Sequence, residues 1–427
     1  MFRIFRSLHH LIRLLRSQWM SPEEIEAIQK RKLKAVLRHA YENVDYYRRL
    51  FDSAGVKPEE INDQGDLLKI PITTKKQLQA LSPEEITAKG IRLDDCITFK
   101  TGGSTGIPLD ILVDRKELRF RGAILMRAFL ASGYRITDRA LFIVGQPRKL
   151  PHRWYQSLGI RRQKYISMLE PVDDQIRHLR EEKPDFLVID SSCFPILAAG
   201  LKKLIAEGIR PRIVTTGGSI LTEERREAME SMFGVRVLDY YSSWEFGNIA
   251  WECRRRAGYH VNAEGLMVEL IRNGRRALPE ERGEIVITDL NAYAMPFIRY
   301  KLEDVSALSR HPCPCGRGLP LLEKIEGRIN DLIRLPDGRV VLPAGIARAF
   351  RLVSGISQYQ FVQEGENEFR VSLVKGEGFC PTTPENVEKA LRQVLGADIR
   401  LHTQIVDEIP RDPSGKLRAF LSKVLES

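Results

Sequence analysis

The loop from Thr101 to Gly106 (TGGSTG) has the residue types best suited to binding an anion. Three of its six residues are glycine, and a serine and a threonine lie between them. Glycine lets the backbone approach an anion closely, and amide and hydroxyl groups can donate hydrogen bonds to it. No lysine follows the glycines, as the phosphate loop of many NTPases requires, and the dinucleotide pattern G-x-G-x-x-G is absent. The loop therefore predicts an anion site of another kind, with a plain glycine- and serine-rich turn as the alternative.

A second group of residues carries the donor atoms of a metal site. Cys253 and His260 lie in ECRRRAGYH, and Cys313 and Cys315 lie in HPCPCGRG. Three thiolates and one imidazole suit tetrahedral zinc, and four protein ligands would make such a site structural rather than catalytic. His311 is a rival ligand, and buried or unliganded thiols are the alternative to a metal.

The composition limits the classes of partner. The 427 residues include 67 lysines and arginines against 56 acids, a net charge of +11. This excess suits a nucleotide, coenzyme A or an anionic membrane. It is spread along the chain, so we expect no nucleic-acid partner. Six cysteines without a secretory signal predict a reducing, cytoplasmic location.

Residues 1–19 predict an amphipathic helix. Its apolar residues Phe5, Leu8, Ile12, Leu15 and Trp19 recur at helical spacing, with arginines between them. The segment lacks an uninterrupted apolar stretch and a small-residue cleavage site, so it is not a signal peptide. We expect the helix to dock on its own domain or on a partner subunit, as in a homodimer. Peripheral contact with an anionic membrane is the alternative.

The elements that must position these residues follow an α/β pattern. Helical stretches alternate with apolar runs that predict buried strands, namely RALFIVG, DFLVID, RIVTTGG and VRVLDYYSS. Residues 23–51 predict one long helix, and residues 265–308 predict short antiparallel strands. A change of pattern near 328–331 predicts a large N-terminal domain with mixed sheets, 1–329, and a small α+β C-terminal domain, 330–427.

Six motifs follow one another along almost the whole chain. They are TGGSTGIP, TTGGSI, YYSSWEFG, IRYKLEDV, EGRINDLI and PRDPSGKLRAF. In this order and spacing they resemble the adenylate-forming superfamily, and within it the phenylacetate-CoA ligase branch with its capsule-biosynthesis relatives. The resemblance implies an N-terminal adenylation domain and a mobile C-terminal domain that pivots near Asn330. Relatives in this branch carry similar Cys/His sets, which adds support to the zinc hypothesis.

The resemblance assigns one group of residues to ATP. They are Thr101, Gly102, Gly103, Ser104, Thr105, Gly106, Gly217, Gly218, Ser219, Tyr240, Tyr241, Asp304 and Arg328. The loop 101–106 would wrap the β- and γ-phosphates, and 217–219 would pack against adenine, with an ordinary turn as the alternative. Tyr241 would stack on adenine, and Asp304 would hold the ribose hydroxyls.

The resemblance also implies three catalytic residues. Glu245 would hold Mg²⁺, a cation that prefers oxygen ligands. Arg328 would support the ribose and α-phosphate as a charged donor. Lys416, in PSGK, would stabilise the charge that develops during adenylation.

Three positions depart from the family pattern. Trp244 replaces the threonine of Y-G-x-T-E and offers no hydroxyl to the α-phosphate. Glu303 stands where R-T-G-D has glycine, and Asn330 stands where the hinge has aspartate. These departures leave Glu245 and Lys416 in place.

The expected activity is that of an AMP-forming ligase. ATP would activate a small carboxylic acid to an acyl-adenylate, and coenzyme A would then accept the acyl group. One alternative is an adenylyltransferase that stops at AMP transfer. The other is a catalytically weak nucleotide-binding protein of a biosynthetic complex.

Overall fold

The computed structural model describes residues 2–100, 109–145, 154–328, 333–335, 337, 340–341, 346–347, 349–350, 352–411 and 417–424. At 2–6, 328, 334 and 340 it describes the backbone alone. The chain forms two units, Met1–Gly133 with Tyr240–Ile325 and Tyr134–Asp239 with Glu326–Ser427. The second unit thus joins the C-terminal residues to a segment from the middle of the chain. The predicted domain boundary between 329 and 330 stays a prediction.

The first unit begins with a series of helices. Its described α-helices are α1 (Phe2–Ser17), α2 (Pro22–Asn43), α3 (Asp45–Ser53), α4 (Lys75–Gln79), α5 (Pro83–Ile86) and α6 (Arg115–Ser132), and 3-10 turns span Pro58–Glu60, Asp66–Lys69 and Leu93–Asp95. A capping box starts α2, because Ser21 and Glu24 each accept a backbone N–H of the other. The prediction of one helix over 23–51 is wrong at Val44, where the backbone is extended. The break allows α3 to bury Tyr47 and Phe51 against α2.

Helix α1 docks on its own unit. Docking on its own domain was one of the two arrangements expected from the sequence. Leu14 is buried in a small apolar cluster with α6. The end of α1 also covers a buried ion pair between Arg127 and Glu264. The Ser17 hydroxyl donates to the Glu264 carboxylate at 2.6 Å, and Arg127 donates to the Leu14 carbonyl at 3.2 Å. Residues of α1 are therefore part of the core of this unit.

The apolar stripe predicted for α1 does not make this contact. Leu8, Ile12 and Trp19 remain 47%, 42% and 53% exposed. The helix docks instead through the face that carries Leu14 and Ser17, where a buried ion pair needs hydrogen-bond partners.

The described strands are short and numerous. In chain order they are β1 (Cys96–Lys100), β2 (Asp110–Asp114), β3 (Ala140–Val144), β4 (Gln163–Ser167), β5 (Phe186–Ile189), β6 (Ile213–Gly217), β7 (Val237–Ser243), β8 (Gly247–Glu252), β9 (Tyr259–Val261), β10 (Leu266–Arg272), β11 (Arg275–Arg276), β12 (Gly283–Asp289), β13 (Tyr300–Ser306), β14 (Leu321–Leu322), β15 (Gly327–Arg328), β16 (Ile333–Arg334), β17 (Val340–Val341), β18 (Ile356–Gly365), β19 (Glu368–Lys375), β20 (Arg400–Ile405) and β21 (Phe420–Ser422).

Antiparallel pairing organises the strands of the first unit. β10, β12 and β13 pair in that order, which confirms the antiparallel strands predicted within 265–308. β7, β8, β9 and β14 form a second antiparallel ladder. β1 and β2 also pair, with Lys100 opposite Asp110. The predicted anion loop 101–106 lies outside the described residues and connects these two adjacent strand ends.

The second unit has the parallel strands that the sequence predicted. β4, β3, β5 and β6 lie side by side in that order and are parallel. The described α-helices of this unit are α7 (Trp154–Ser157), α8 (Val172–Glu182), α9 (Phe194–Ala206), α10 (Glu223–Phe233) and α11 (Thr383–Leu395). Near the C-terminus, β20, β19, β18 and β21 form a mixed sheet whose apolar side chains share a core with α11. The predicted α/β class is confirmed. Among the described helices, none has both the length and the apolar character to cross a membrane.

Candidate active site and metal centre

Two motifs that are far apart in the sequence meet in the first unit. Tyr241, on β7, donates its phenol hydrogen to the carboxylate of Asp304, on β13, at 2.5 Å. Both side chains are partly exposed. Successive side chains of a strand point to opposite faces, so Tyr240 points away from this pair. Tyr240 is 4% exposed, and its hydroxyl shares a hydrogen bond with that of Ser132, on α6, at 2.6 Å. The nucleotide contact assigned to Tyr240 stays a prediction.

Glu245 lies in the turn that follows β7. Its carboxylate accepts a hydrogen bond from the Tyr300 hydroxyl at 3.1 Å, and the residue is 8% exposed. Tyr300 begins β13, four residues before Asp304. One strand therefore contacts both Tyr241 and Glu245. A carboxylate has about four acceptor positions, so the bond from Tyr300 leaves capacity for a cation.

Arg121 supports the same turn and was missed by the sequence analysis. It donates to the backbone carbonyl of Trp244 at 3.2 Å and to that of Glu245. Its guanidinium also lies 2.6 Å from Glu117 and 3.8 Å from Asp289. Burial raises the pKa of the Glu117 carboxyl to about 8 and also raises the pKa of Asp289. The spacing of Glu117 and Arg121 suggests a helical ion pair, but nothing in the sequence connects it to residues 244–245.

Two of the departures from the family pattern, Trp244 and Glu303, lie in the described part of the chain. The Trp244 ring stacks on Phe99, on β1, with ring centroids 6.0 Å apart and planes at 29°. Trp244 therefore packs against the strand that leads into the loop 101–106. Glu303 has φ +67, a left-handed conformation that costs a non-glycine residue roughly 1–2 kcal/mol. The backbone thus keeps the conformation suited to glycine although the side chain is glutamate.

The residues Gly217, Gly218 and Ser219 form a turn in the second unit. β6 ends at Gly217, Gly218 has φ +91, and α10 starts after the cap Thr222. The Ser191 hydroxyl, from the segment that follows β5, donates to the Ile220 carbonyl in this turn at 3.0 Å. This is the strand-to-helix turn that the sequence indicated, and a contact with adenine stays a prediction.

Several predicted site residues fall outside the described part of the chain. They are the loop 101–106, the hinge residue Asn330, the side chain of Arg328, and Lys416. Their assigned roles stay predictions. The neighbouring Arg411 is described, and it donates to the Met168 carbonyl within the second unit.

The four predicted zinc ligands converge in the first unit. The ligand atoms of Cys253, His260, Cys313 and Cys315 all lie within 4.8 Å of one another. The sulfurs of Cys253 and Cys313 are 3.6 Å apart, and the Cys315 sulfur is 3.4 Å from Nε2 of His260. Ligands about 2.3 Å from a tetrahedral zinc lie about 3.7 Å from one another. His311, the rival ligand, is exposed and outside this cluster.

The surroundings of the cluster suit a cation. Burial, with Arg317 and Arg127 nearby, lowers the pKa of His260 to about 4, so the imidazole is neutral. Burial raises the pKa of the Cys313 thiol to about 12. A bound metal ion would offset that cost, because coordination stabilises the thiolate. The donor set and its geometry therefore fit zinc.

Arg317 connects the cluster to the N-terminal segment. Its guanidinium lies over the rings of Trp19 and Trp251, 4.6 Å and 5.2 Å from their centroids. Its Nε donates to the Gln18 side chain at 2.9 Å. Burial opposes ionisation of Cys315, but hydrogen bonds from Arg317 outweigh it and lower the pKa of this thiol.

Known proteins provide an independent comparison. The family described as "CapK C-terminal domain" matches residues 333–423. The phenylacetate-coenzyme A ligase of Escherichia coli is 28% identical over 73% of this chain and 73% of its own. The phenylacetate-coenzyme A ligase of Thermus thermophilus is 26% identical over 93% of this chain and 96% of its own.

A solved structure confirms the fold. The 2-hydroxyisobutyryl-CoA ligase in its postadenylation state, in complex with R3-HIB-AMP, has a TM-score of 0.78. It is 20% identical and covers 95% of this chain and 90% of its own. The resemblance indicated by the motifs is confirmed: the chain is a homologue of the phenylacetate-CoA ligases and has the fold of the adenylate-forming CoA ligases.

Proposed function

We propose that the protein is an AMP-forming acid–CoA ligase. The hydrogen bond between Tyr241 and Asp304 carries the proposal, because it joins the positions assigned to adenine and ribose. Glu245, the position assigned to the metal, lies in the next turn and contacts the same strand through Tyr300. The named activity of the curated relatives supports a small aryl or acyl carboxylic acid as the substrate.

In the first step, a carboxylate oxygen of the acid attacks the α-phosphorus of ATP. The bond from that phosphorus to the bridging oxygen breaks, and pyrophosphate leaves with the electron pair. Tyr241 and Asp304 hold the nucleoside, and the loop 101–106 holds the phosphates that depart. Lys416 and Arg328 donate to the oxygens that gain charge. Such chemistry depends mainly on positioning and charge stabilisation.

In the second step, the thiol of coenzyme A attacks the acyl carbon of the adenylate. AMP leaves, and the thiol proton passes to solvent. The basic residues Arg411, Lys416 and Arg418 lie close together in the sequence and would attract the phosphates of coenzyme A. A pivot near Asn330 would expose the thiol site.

We assign Mg²⁺ to Glu245. The support is a carboxylate that is 8% exposed and held by Tyr300, in a turn whose carbonyls Arg121 fixes. When bound, Mg²⁺ would neutralise phosphate charge. Arg121 acts through the backbone, so it positions Glu245 and makes no contact with the reacting atoms.

We also assign a structural zinc ion to Cys253, His260, Cys313 and Cys315. Four protein ligands leave no open position for water, so the ion would hold β8, β9 and the loop 309–318 together.

Purified protein should carry one zinc ion per chain, and the variant Cys313→Ser/Cys315→Ser should lose it. The free energy of unfolding should fall by roughly 4 kcal/mol or more, because folding and metal binding are coupled. Metal analysis and thermal unfolding measure both effects. The exposed Cys380 lies outside the cluster, so Cys380→Ser is the matched control. Absence of zinc after reducing, chelator-free preparation would refute the assignment.

The activity can be tested with a panel of carboxylic acids, Mg²⁺ and ATP, with and without coenzyme A. Coenzyme A should accelerate AMP release and yield a thioester, which mass spectrometry detects. A product that keeps AMP attached, with no effect of coenzyme A, would favour the adenylyltransferase. Bound nucleotide without pyrophosphate exchange would favour the weak nucleotide-binding protein.

A further inference from the structure

Helix α1 carries an exposed apolar ridge that its docking leaves uncovered within its unit. We define the α1 ridge as Leu8, Ile12 and Trp19, each more than 40% exposed. Leu8 and Ile12 are one turn apart on α1, and Trp19 lies in the turn that directly follows the helix. The ridge therefore begins on one side of the helix and ends in the turn after it. Leu14 and Ser17 hold the other side against the protein.

The ridge is ordered before it meets any partner. The end of α1 is fixed by the hydrogen bonds of Ser17 and by the bond from Gly318 N–H to the Gln18 carbonyl at 3.0 Å. Arg317 lies over the Trp19 ring and holds it. A preordered apolar surface loses little conformational entropy when it is covered.

The charged side chains that the structure describes on α1 are positive. Arg13 and Arg16 are exposed on the same helix, and Arg317 lies over Trp19. The chain has no acidic residue before Glu23. A second copy of this surface would place arginines against arginines, whereas an anionic lipid surface would complement them.

We propose that the α1 ridge seats the protein on an anionic membrane surface. Leu8 and Ile12 enter the boundary between headgroups and acyl chains, and Trp19 lies at the level of the headgroups. Arg13 and Arg16 contact lipid phosphates. Three apolar side chains bury little area, so the binding is reversible. The arginines add electrostatic attraction, which salt screens, so the attachment weakens at high salt. The proposal is independent of the ligase activity.

Flotation of the full chain with two kinds of vesicle tests the proposal. One kind is phosphatidylcholine alone, and the other contains one quarter phosphatidylglycerol. The protein should bind the anionic vesicles and should detach at high salt. The variant Leu8→Gln/Ile12→Gln should bind about tenfold more weakly. Arg13→Gln/Arg16→Gln should lose about fivefold for each arginine removed.

The control variant Leu278→Gln/Leu352→Gln removes two leucines that are 66% and 69% exposed elsewhere. It should bind like the unaltered protein, and thermal unfolding should show that every variant is folded. Equal binding of the ridge variant and the control would overturn the proposal. The proposal would also be overturned if Leu8→Gln/Ile12→Gln left vesicle binding unchanged and lowered the oligomeric mass measured by sedimentation. The ridge would then be a contact between two copies of the chain.

Discussion

Replacing Lys416 by alanine should abolish adenylation and leave most ATP binding intact. The lysine donates to oxygens that gain charge as pyrophosphate leaves, so it stabilises the transition state more than the bound substrate. We expect pyrophosphate release to fall by about a hundred- to a thousandfold. The apparent affinity for ATP should change far less.

Lys423→Ala provides the matched control in the same C-terminal segment. Lys423 is 56% exposed and pairs with Glu364 on the surface, where an ion pair contributes little to stability. This control should release pyrophosphate at the unaltered rate. Unchanged release in the Lys416 variant, with the ligase active, would remove that lysine from the mechanism.

Replacing Glu245 by glutamine should raise the Mg²⁺ concentration needed for activity or stop the reaction. The change removes the negative charge that a hard cation prefers but keeps the size of the side chain. The Mg²⁺ requirement should increase by about ten- to a hundredfold, measured by pyrophosphate release across a magnesium titration.

The variant Glu26→Gln is the matched control, because it removes one carboxylate charge away from the site. Glu26 is 57% exposed on α2 and pairs with Lys30. Its magnesium titration should match that of the unaltered protein. A Glu245→Gln curve that also matches would place the magnesium ligand elsewhere.

Local sequence patterns predicted the strands well where burial alone determines the pattern. The parallel strands β3, β5 and β6 are continuous apolar runs between helices, a pattern typical of strands buried on both faces. The convergence of Cys253, His260, Cys313 and Cys315 could be predicted because few other residue types carry soft donor atoms, and the zinc ion itself stays a prediction.

The sequence did not predict features that depend on tertiary contacts. Arg121 is one charged residue among many on a helix, and its role depends on carbonyls more than 120 residues away. Val44 breaks the predicted helix because burial of α3 outweighs the helical pattern. The sequence did not indicate which face of α1 docks: Ser17 contacts the buried pair of Arg127 and Glu264, whereas Leu8 and Ile12 stay exposed.

At the site, the motif resemblance assigned roles to residues that local sequence patterns did not single out. No local pattern connects Tyr241 with Asp304, and only the motif order assigned both residues to the nucleotide. The structure shows that the two side chains share a hydrogen bond, and their role at the nucleotide stays a prediction. Strand alternation places the ring of Tyr240 beside Phe129, and its assigned contact with the nucleotide stays a prediction.

The central claim is that a carboxylate oxygen attacks the α-phosphorus of ATP. An acid accepted by the enzyme, labelled with heavy oxygen in its carboxylate, tests this claim when it is incubated with ATP, Mg²⁺ and coenzyme A. The account predicts that one labelled oxygen appears in AMP and the other stays in the thioester, as measured by mass spectrometry. AMP without label, formed together with the thioester, would contradict the account.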